Sequence, residues 1–243
     1  MEKSVVERLR KFYGVEFEVY APPQNINNAL HVSVDHKYMY CEIPKAGCTT
    51  IKQTLVESVE RKVVNYNVHD RAQTPLRRPS EVFDDIKELE PYFKFTFVRN
   101  PYTRTLSAYL DKIQGNKLEK RGIVNVLGMD INDYENIDIP FKLFLDTLAS
   151  MEIRRMNGHF RPQVMQSCYA VINYDYIGKF ESFEADLVAI LGKLGCRDVS
   201  PRMIKTVRHH KTNALDLYEQ YYDAETENLV KEVYREDFLE FGY

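Results

Sequence analysis

Two short segments constrain the fold of this chain more than any other feature: IPKAGCTTIK at 43–52 and FVRNPYTRTLSAY at 97–109. Each reads as a β-strand running into a turn and then into the start of a helix. The first continues the run Tyr38-Met39-Tyr40-Cys41-Glu42-Ile43, turns through Pro44, Lys45, Ala46 and Gly47, and opens an amphipathic helix at Thr49-Thr50. The second follows a strand over 93–98, passes Arg99, and starts a helix at Pro101, where proline fits the first helical position. A strand feeding a turn and a helix N-terminus presents backbone N–H groups and a partial positive charge to a phosphate. One such anion site is common. Two, each at the C-terminal end of a strand, suggest a nucleotide with phosphates at two places.

The remaining pattern predicts an α/β fold, a P-loop-like central parallel sheet flanked by helices. Strands are expected near 38–43, 63–67, 93–98 and 174–180, and helices near 50–61, 81–90, 101–114, 140–151, 183–194 and 224–240. Ser80 and Ser182 are suited to cap the helices that follow them, Pro140 to a first helical position, and Gly195 to a helix stop. The stretch 115–139 has no clear period and carries three glycines, as an insertion or lid would. With no repeat or low-complexity tract, 1–243 reads as a single domain, in which 1–37 is an N-terminal extension beginning with a short amphipathic helix. The C-terminal helix carries Leu229, Val233, Phe238 and Phe241, for packing on the core or against another subunit.

Composition narrows the functional classes. A net charge of −3 argues against a general nucleic-acid binder, so any basic surface must be local to the anion sites. No apolar run is long enough to cross a membrane, and no signal-peptide core precedes the domain. Cys41, Cys48, Cys168 and Cys196 show no metal-ligand spacing, and no metal is expected. Cys48 lies inside the first turn, where a helix N-terminus lowers a thiol pKa, although packing is the preferred role. A reducing cytoplasm is the simplest location.

The two segments resemble the 5′-phosphosulfate loop and the 3′-phosphate motif of sulfotransferases that use 3′-phosphoadenosine 5′-phosphosulfate (PAPS). The chain is most similar to the carbohydrate sulfotransferases, the family of the chondroitin 4-O-sulfating enzymes. HFRPQ at 159–163, YIGKFE at 176–181 and REDFLEFGY at 235–243 extend the resemblance from about residue 38 to the C-terminus. Animal members are held in the Golgi by an N-terminal membrane helix that is not seen here, which favours a soluble bacterial-type form. The resemblance implies transfer of a sulfuryl group from PAPS to a hydroxyl, most simply of a carbohydrate, with 3′-phosphoadenosine 5′-phosphate (PAP) as product.

A P-loop kinase is the natural competitor, but its GxxxxGKS/T loop places lysine after the second glycine. Here Lys45 precedes the single Gly47, and strand 93–98 ends in a cation, Arg99, where a metal-holding carboxylate would be expected. A non-catalytic nucleotide binder is the other alternative. In sulfuryl transfer Lys45 would neutralise charge on the oxygen that leaves sulfur. The loop Lys45, Ala46, Gly47, Cys48, Thr49 and Thr50 would hold the 5′-phosphate; Arg99 and Ser107, eight residues apart, would hold the 3′-phosphate. Arg104 either supports that phosphate or pairs with acidic neighbours. Lys211, within the donor-rich run 208–213, falls where the family places a loop near the 3′-phosphate.

The acceptor hydroxyl needs a base, and a positioned base contributes roughly 10²–10⁴-fold. His69, after the expected strand 63–67, and His159, within HFRPQ, are the candidates, with Asp70 to orient His69 or replace it. Arg71, Arg161 and Gln163 are the side chains expected to read an acidic or hydroxylated sugar.

Overall fold

The computed structural model describes residues 27–84, 86–170, 172–196 and 213–243. In chain order the strands are β1 (Leu30–Ser33), β2 (Tyr38–Cys41), β3 (Phe93–Val98) and β4 (Tyr176–Lys179). The main helices are α1 (Cys48–Thr54), α2 (Pro101–Ala108), α3 (Lys120–Val126), α4 (Phe141–Ser150), α5 (Phe183–Lys193), α6 (Ala224–Val233) and α7 (Arg235–Phe241). The chain divides into two compact units, Met1–Val98 with Met165–His210 and Arg99–Val164 with Lys211–Tyr243.

The first unit holds the sheet, in order β1-β2-β3-β4. β2, β3 and β4 run parallel, with Tyr38 opposite Phe93 and Phe95 opposite Tyr176. β1 adds an antiparallel edge, Leu30 opposite Cys41. This strand lies in the N-terminal stretch where the sequence offered no motif, because four residues carry too little pattern to stand out from a loop. Alternation along β2 separates two apolar layers. Met39 and Cys41 join Leu30, Val32, Leu89 and Tyr92 in one buried cluster. Tyr40 instead stacks on Phe95, with ring centres 5.3 Å apart. Phe97 packs on Phe183 of α5, and a Cβ on Gly178 would overlap the Phe97 ring.

The expected strand at 63–67 does not form. The segment carries no regular secondary structure and is largely exposed, with Val63 at 83% of full exposure, and β2 pairs directly with β3. Among the described residues its β-branched pair lies beside no strand with which to complete a ladder. The expected helix at 81–90 is instead two short 3₁₀ turns, Pro79–Glu81 and Ile86–Leu89. Pro79 takes the first helical position, so Arg78 rather than Ser80 is the capping residue. Ser182 does precede α5, but its hydroxyl donates to Asp186 and caps no backbone N–H. α1 and α2 continue as wider turns over Leu55–Val59 and Tyr109–Gln114.

The second unit is helical, around Leu106, Tyr109, Ile113, Phe141, Phe144, Leu148, Phe160, Val230, Val233 and Tyr234. The stretch 115–139 contributes α3, whose Ile123 and Val124 join this core. The expected helix at 224–240 breaks at Tyr234, whose hydroxyl donates to the Phe160 carbonyl at 2.7 Å. Val233 belongs to this core and Leu229 and Phe238 pack against it, so the C-terminal segment covers its own unit. Tyr109, buried in the same core, donates its hydroxyl to the Ile139 carbonyl at 2.9 Å. No helix among the described residues is long and apolar enough to cross a membrane.

Candidate active site

In the first unit the chain leaves β2 through Glu42 and Ile43, and Lys45 takes a left-handed backbone conformation with φ 69°. Such a conformation is uncommon for a residue with a side chain and is concentrated at functional turns. Gly47 follows at φ 87°, where a Cβ would overlap the Phe183 ring, and it immediately precedes α1. Ala46 is fully buried and anchors the loop beneath. The helix begins at Cys48, one residue earlier than the Thr49-Thr50 start expected. Burial pushes the Cys48 thiol up to about 12, with the Glu42 charge adding to the effect. The lowering expected from a helix N-terminus is therefore overridden, and the thiolate is not the form present near neutral pH.

Behind the loop lies a polar cluster that the sequence did not announce. The Lys52 ammonium, with its side chain 2% exposed, is 2.7 Å from Glu42 Oε2 and 2.7 Å from His69 Nδ1. His69 Nε2 is 2.9 Å from Thr49 Oγ1. Glu42 Oε2 also accepts from His31 Nε2 at 2.8 Å. Burial alone would raise the Glu42 carboxyl, but the hydrogen bond from His31 and the Lys52 charge hold it well below the usual carboxylate range. Glu42, Cys48 and His69 bring potential metal ligands together, but Lys52 already supplies a cation in contact with two of them. Glu42 sits on the same face as Tyr38 and Tyr40 by strand alternation, and Lys52 shares a helix face with Thr49. A glutamate and a lysine at such inward positions were the available signal.

His69 is reached without the expected strand. Its loop is fixed by the Asn67 side chain, which accepts the His69 backbone N–H at 3.0 Å. Asp70 does not touch the ring in the role expected of it. Its carboxylate accepts from the Gln73 side chain and from the Ala72 N–H at 3.0 Å, bonds that lower its pKa. Arg71 is also turned inward: its guanidinium donates to the carbonyls of Asn28 and Leu30, the latter at 2.9 Å, tying the loop to β1.

In the second unit Arg99, Thr103 and Ser107 recur every four residues and share one stripe of α2 and its approach. Arg99 Nε donates to Thr103 Oγ1 at 3.1 Å. The Asn100 side chain caps the helix by accepting the Tyr102 N–H at 3.0 Å, and Ser107 is 2% exposed. Gln163, expected to read a sugar, is fully buried and has another task. Its Oε1 accepts the Arg99 backbone N–H and its Nε2 donates to the Arg99 carbonyl, both at 2.8 Å. Asp237 holds this clamp from behind, accepting the backbone N–H groups of Gln163 at 2.8 Å and Val164 at 2.9 Å. Burial lifts the Asp237 carboxyl to about 6, against those bonds and the nearby Arg104 charge, so it is ionised at neutral pH.

Arg104 is 1% exposed and donates to the carbonyls of Arg161 at 3.0 Å and Gly158 at 3.3 Å. It therefore shapes the loop that carries His159. Asn157 Oδ1 accepts the His159 backbone N–H at 3.0 Å and lies 2.7 Å from His159 Nδ1. The backbone bond marks that atom as the amide oxygen, which can only accept, so Nδ1 is the donor of the neutral ring and Nε2 keeps the lone pair. Glu119 Oε1 stands 3.7 Å from Nδ1 on the same side. Arg161 donates to the Met156 carbonyl at 2.9 Å. Lys211 lies outside the described residues.

The model of the "Sulfotransferase family" matches residues 28–243. Carbohydrate sulfotransferase 14 of Danio rerio is 27% identical over 230 residues, which is 87% of this chain and 61% of the relative. Carbohydrate sulfotransferase 11 of Rattus norvegicus is 27% identical over 238 residues, 88% of this chain and 66% of the relative. Carbohydrate sulfotransferase 9 of Homo sapiens is 30% identical over 240 residues, 88% of this chain and 53% of the relative. The chain thus spans between half and two thirds of these relatives' length. No solved structure matches it. With a family model covering nearly its whole length, the chain belongs to the sulfotransferase family.

Proposed function

We propose that this protein transfers the sulfuryl group of PAPS to a hydroxyl of a carbohydrate by in-line displacement at sulfur. The observation that carries the reading is the turn Pro44–Gly47. It pairs a lysine held in a left-handed conformation with a glycine whose missing Cβ leaves room against Phe183. Such a cradle suits a phosphate gripped by backbone N–H groups, and Lys45 stands where an adjoining negative charge needs a cation. PAPS, when bound, supplies an activated sulfate whose departure leaves charge on the bridging oxygen. Lys45 neutralises that charge, and the N–H groups of Gly47, Cys48, Thr49 and Thr50 hold the 5′-phosphate. Arg99 and Ser107 hold the 3′-phosphate, with Thr103 steadying the guanidinium.

Of the two histidines considered, His159 has the polarity of a base. Its Nδ1–H is directed at Asn157, and its Nε2 lone pair is the one able to take the acceptor's proton. The names of the relatives support a carbohydrate acceptor.

The test is transfer of ³⁵S from labelled PAPS to pooled glycans, with PAP binding measured by calorimetry. Lys45→Ala is expected to lower kcat by two orders of magnitude or more while PAP affinity falls far less, because the lysine acts mainly in the transition state. No PAP binding and no transfer by the wild-type protein overturns the reading. Equal losses in binding and turnover overturn the role of Lys45.

A further inference from the structure

The buried charge behind the phosphate loop has a direction. We propose that Lys52 is a positioning residue of the 5′-phosphate site: it fixes His69 as a hydrogen-bond donor, and His69 in turn fixes the Thr49 hydroxyl as a donor toward the bound anion. This rests on the reading of the loop as a phosphate site and deepens it.

An ammonium has three N–H donors and no lone pair. Its 2.7 Å contact with Glu42 Oε2 gives one of those donors a carboxylate partner. Its 2.7 Å contact with His69 Nδ1 is then possible only if Nδ1 offers its lone pair. Glu42 Oε1 lies farther from that nitrogen, at 3.5 Å, and does not compete. The proton of the neutral ring must sit on Nε2. That nitrogen is 2.9 Å from Thr49 Oγ1, so the hydroxyl oxygen accepts from His69 and its own proton turns away. A second ring proton would set an N–H against the ammonium. The two contacts select one tautomer of the ring.

The rest of the cluster keeps Lys52 in place. Glu42 Oε2 receives His31 Nε2 at 2.8 Å, and Arg71 Nη2 stands 3.4 Å from that same His31 nitrogen. Lys52 cannot release Glu42 without leaving a largely buried carboxylate short of its cation, which is strongly disfavoured. Every proton in the series Lys52, His69, Thr49 therefore points one way, toward the first turn of α1. A hydroxyl polarised by a cation two bonds back is a better donor to phosphate than a freely rotating one. The same tautomer denies His69 the Nε2 lone pair that a general base needs. His159 has the opposite polarity, which separates the two rings by task.

The experiment uses the full chain with PAP as probe. In ¹⁵N-labelled protein the His69 ring is expected to show a protonated Nε2 and an unprotonated Nδ1 near neutral pH. Thr49→Val and His69→Ala should each weaken PAP binding about tenfold or more, the scale of a hydrogen bond to a charged group. His69→Gln is the decisive variant. Its amide N–H reaches toward Thr49 but cannot act as a base, so it should recover most of the affinity and turnover that His69→Ala loses. Lys52→Met should weaken PAP binding and move the His69 proton to Nδ1. If that variant does not fold, the wild-type tautomer and the glutamine rescue still decide. A His69 that carries its proton on Nδ1 overturns the proposal. So does a His69→Gln protein that binds PAP normally yet loses roughly 10²–10⁴ in turnover, the signature of a missing base. A wild-type protein that binds no PAP overturns the phosphate-loop reading itself, whatever the tautomer.

Discussion

Replacing Gln163 by leucine isolates the clamp on Arg99. The two side chains are similar in size, so the substitution removes hydrogen bonds with little change in packing. Two are lost at 2.8 Å, one to the Arg99 N–H and one to its carbonyl, together with a longer 3.4 Å contact to Asp237. Gln163 is fully buried and Arg99 is 8% exposed, so neither freed backbone group gains ready access to water. A buried backbone group left without its partner costs about 1–3 kcal/mol, which puts the loss at about 2–6 kcal/mol for the pair. Against a typical stability of about 5–15 kcal/mol, the variant should fold but unfold at distinctly lower denaturant. Guanidinium unfolding with an unchanged slope would read that loss directly. Calorimetry should add a second signature: PAP binding weakens because the Arg99 backbone has lost its anchor, whereas AMP, which has no 3′-phosphate, binds as before. A variant within 0.5 kcal/mol of wild type and with unaltered PAP affinity would refute both the clamp and its link to the 3′-phosphate.

Gly47→Ala should lower stability by about 1–2 kcal/mol from the left-handed backbone alone, with more from contact with Phe183; a Gly47→Ala/Phe183→Leu double mutant should recover the contact part only, and an alanine variant as stable as wild type would refute the constraint. Burial lowers His31 to about 4 from the 6.5 of an exposed histidine, so the unfolded chain takes up a proton that the folded protein refuses between those values. Stability is then lost as pH falls from 6.5 toward 4, by roughly 3 kcal/mol in full, and a His31→Gln variant should lack that component. Asp237, raised to about 6, works in the opposite sense over much of the same range, so the difference between wild type and variant isolates His31; parallel curves would contradict its burial as a neutral ring.

Both strand-to-helix turns were legible because their signals are local. Pro44 and Gly47, or Asn100 and Pro101, set a turn and a helix start through their own backbone preferences, and the structure places α1 and α2 there. Apolar alternation likewise found β2 and β3, whose inward residues are fully buried. The segment at 63–67 was misread for a related reason. Val63 and Val64 favour extended backbone, but a strand also needs a neighbour, which no local signal supplies. The helix α3 escaped notice because it buries only a narrow face, Lys120, Ile123 and Val124, within a polar stretch.

The side chains around the sites show where residue type stops being informative. Arg71, Arg104 and Gln163 had the chemistry to meet a ligand, yet each makes hydrogen bonds to the backbone of its own unit. A fold that sets charged loops beside buried strands must satisfy the carbonyls and N–H groups that those loops leave behind, and long polar side chains are the means. The partners that decide the matter lie far along the chain. Gln163 is 64 residues from Arg99, and Asp237 is 74 from Gln163. The histidines sharpen the same point. His69 and His159 are the same residue type, each in a loop, and nothing adjacent in sequence tells a base from a donor. What separates them is the group facing Nδ1, an ammonium for His69 and an amide oxygen for His159. That group sets which nitrogen keeps its lone pair, and the lone pair sets the chemistry each ring can perform.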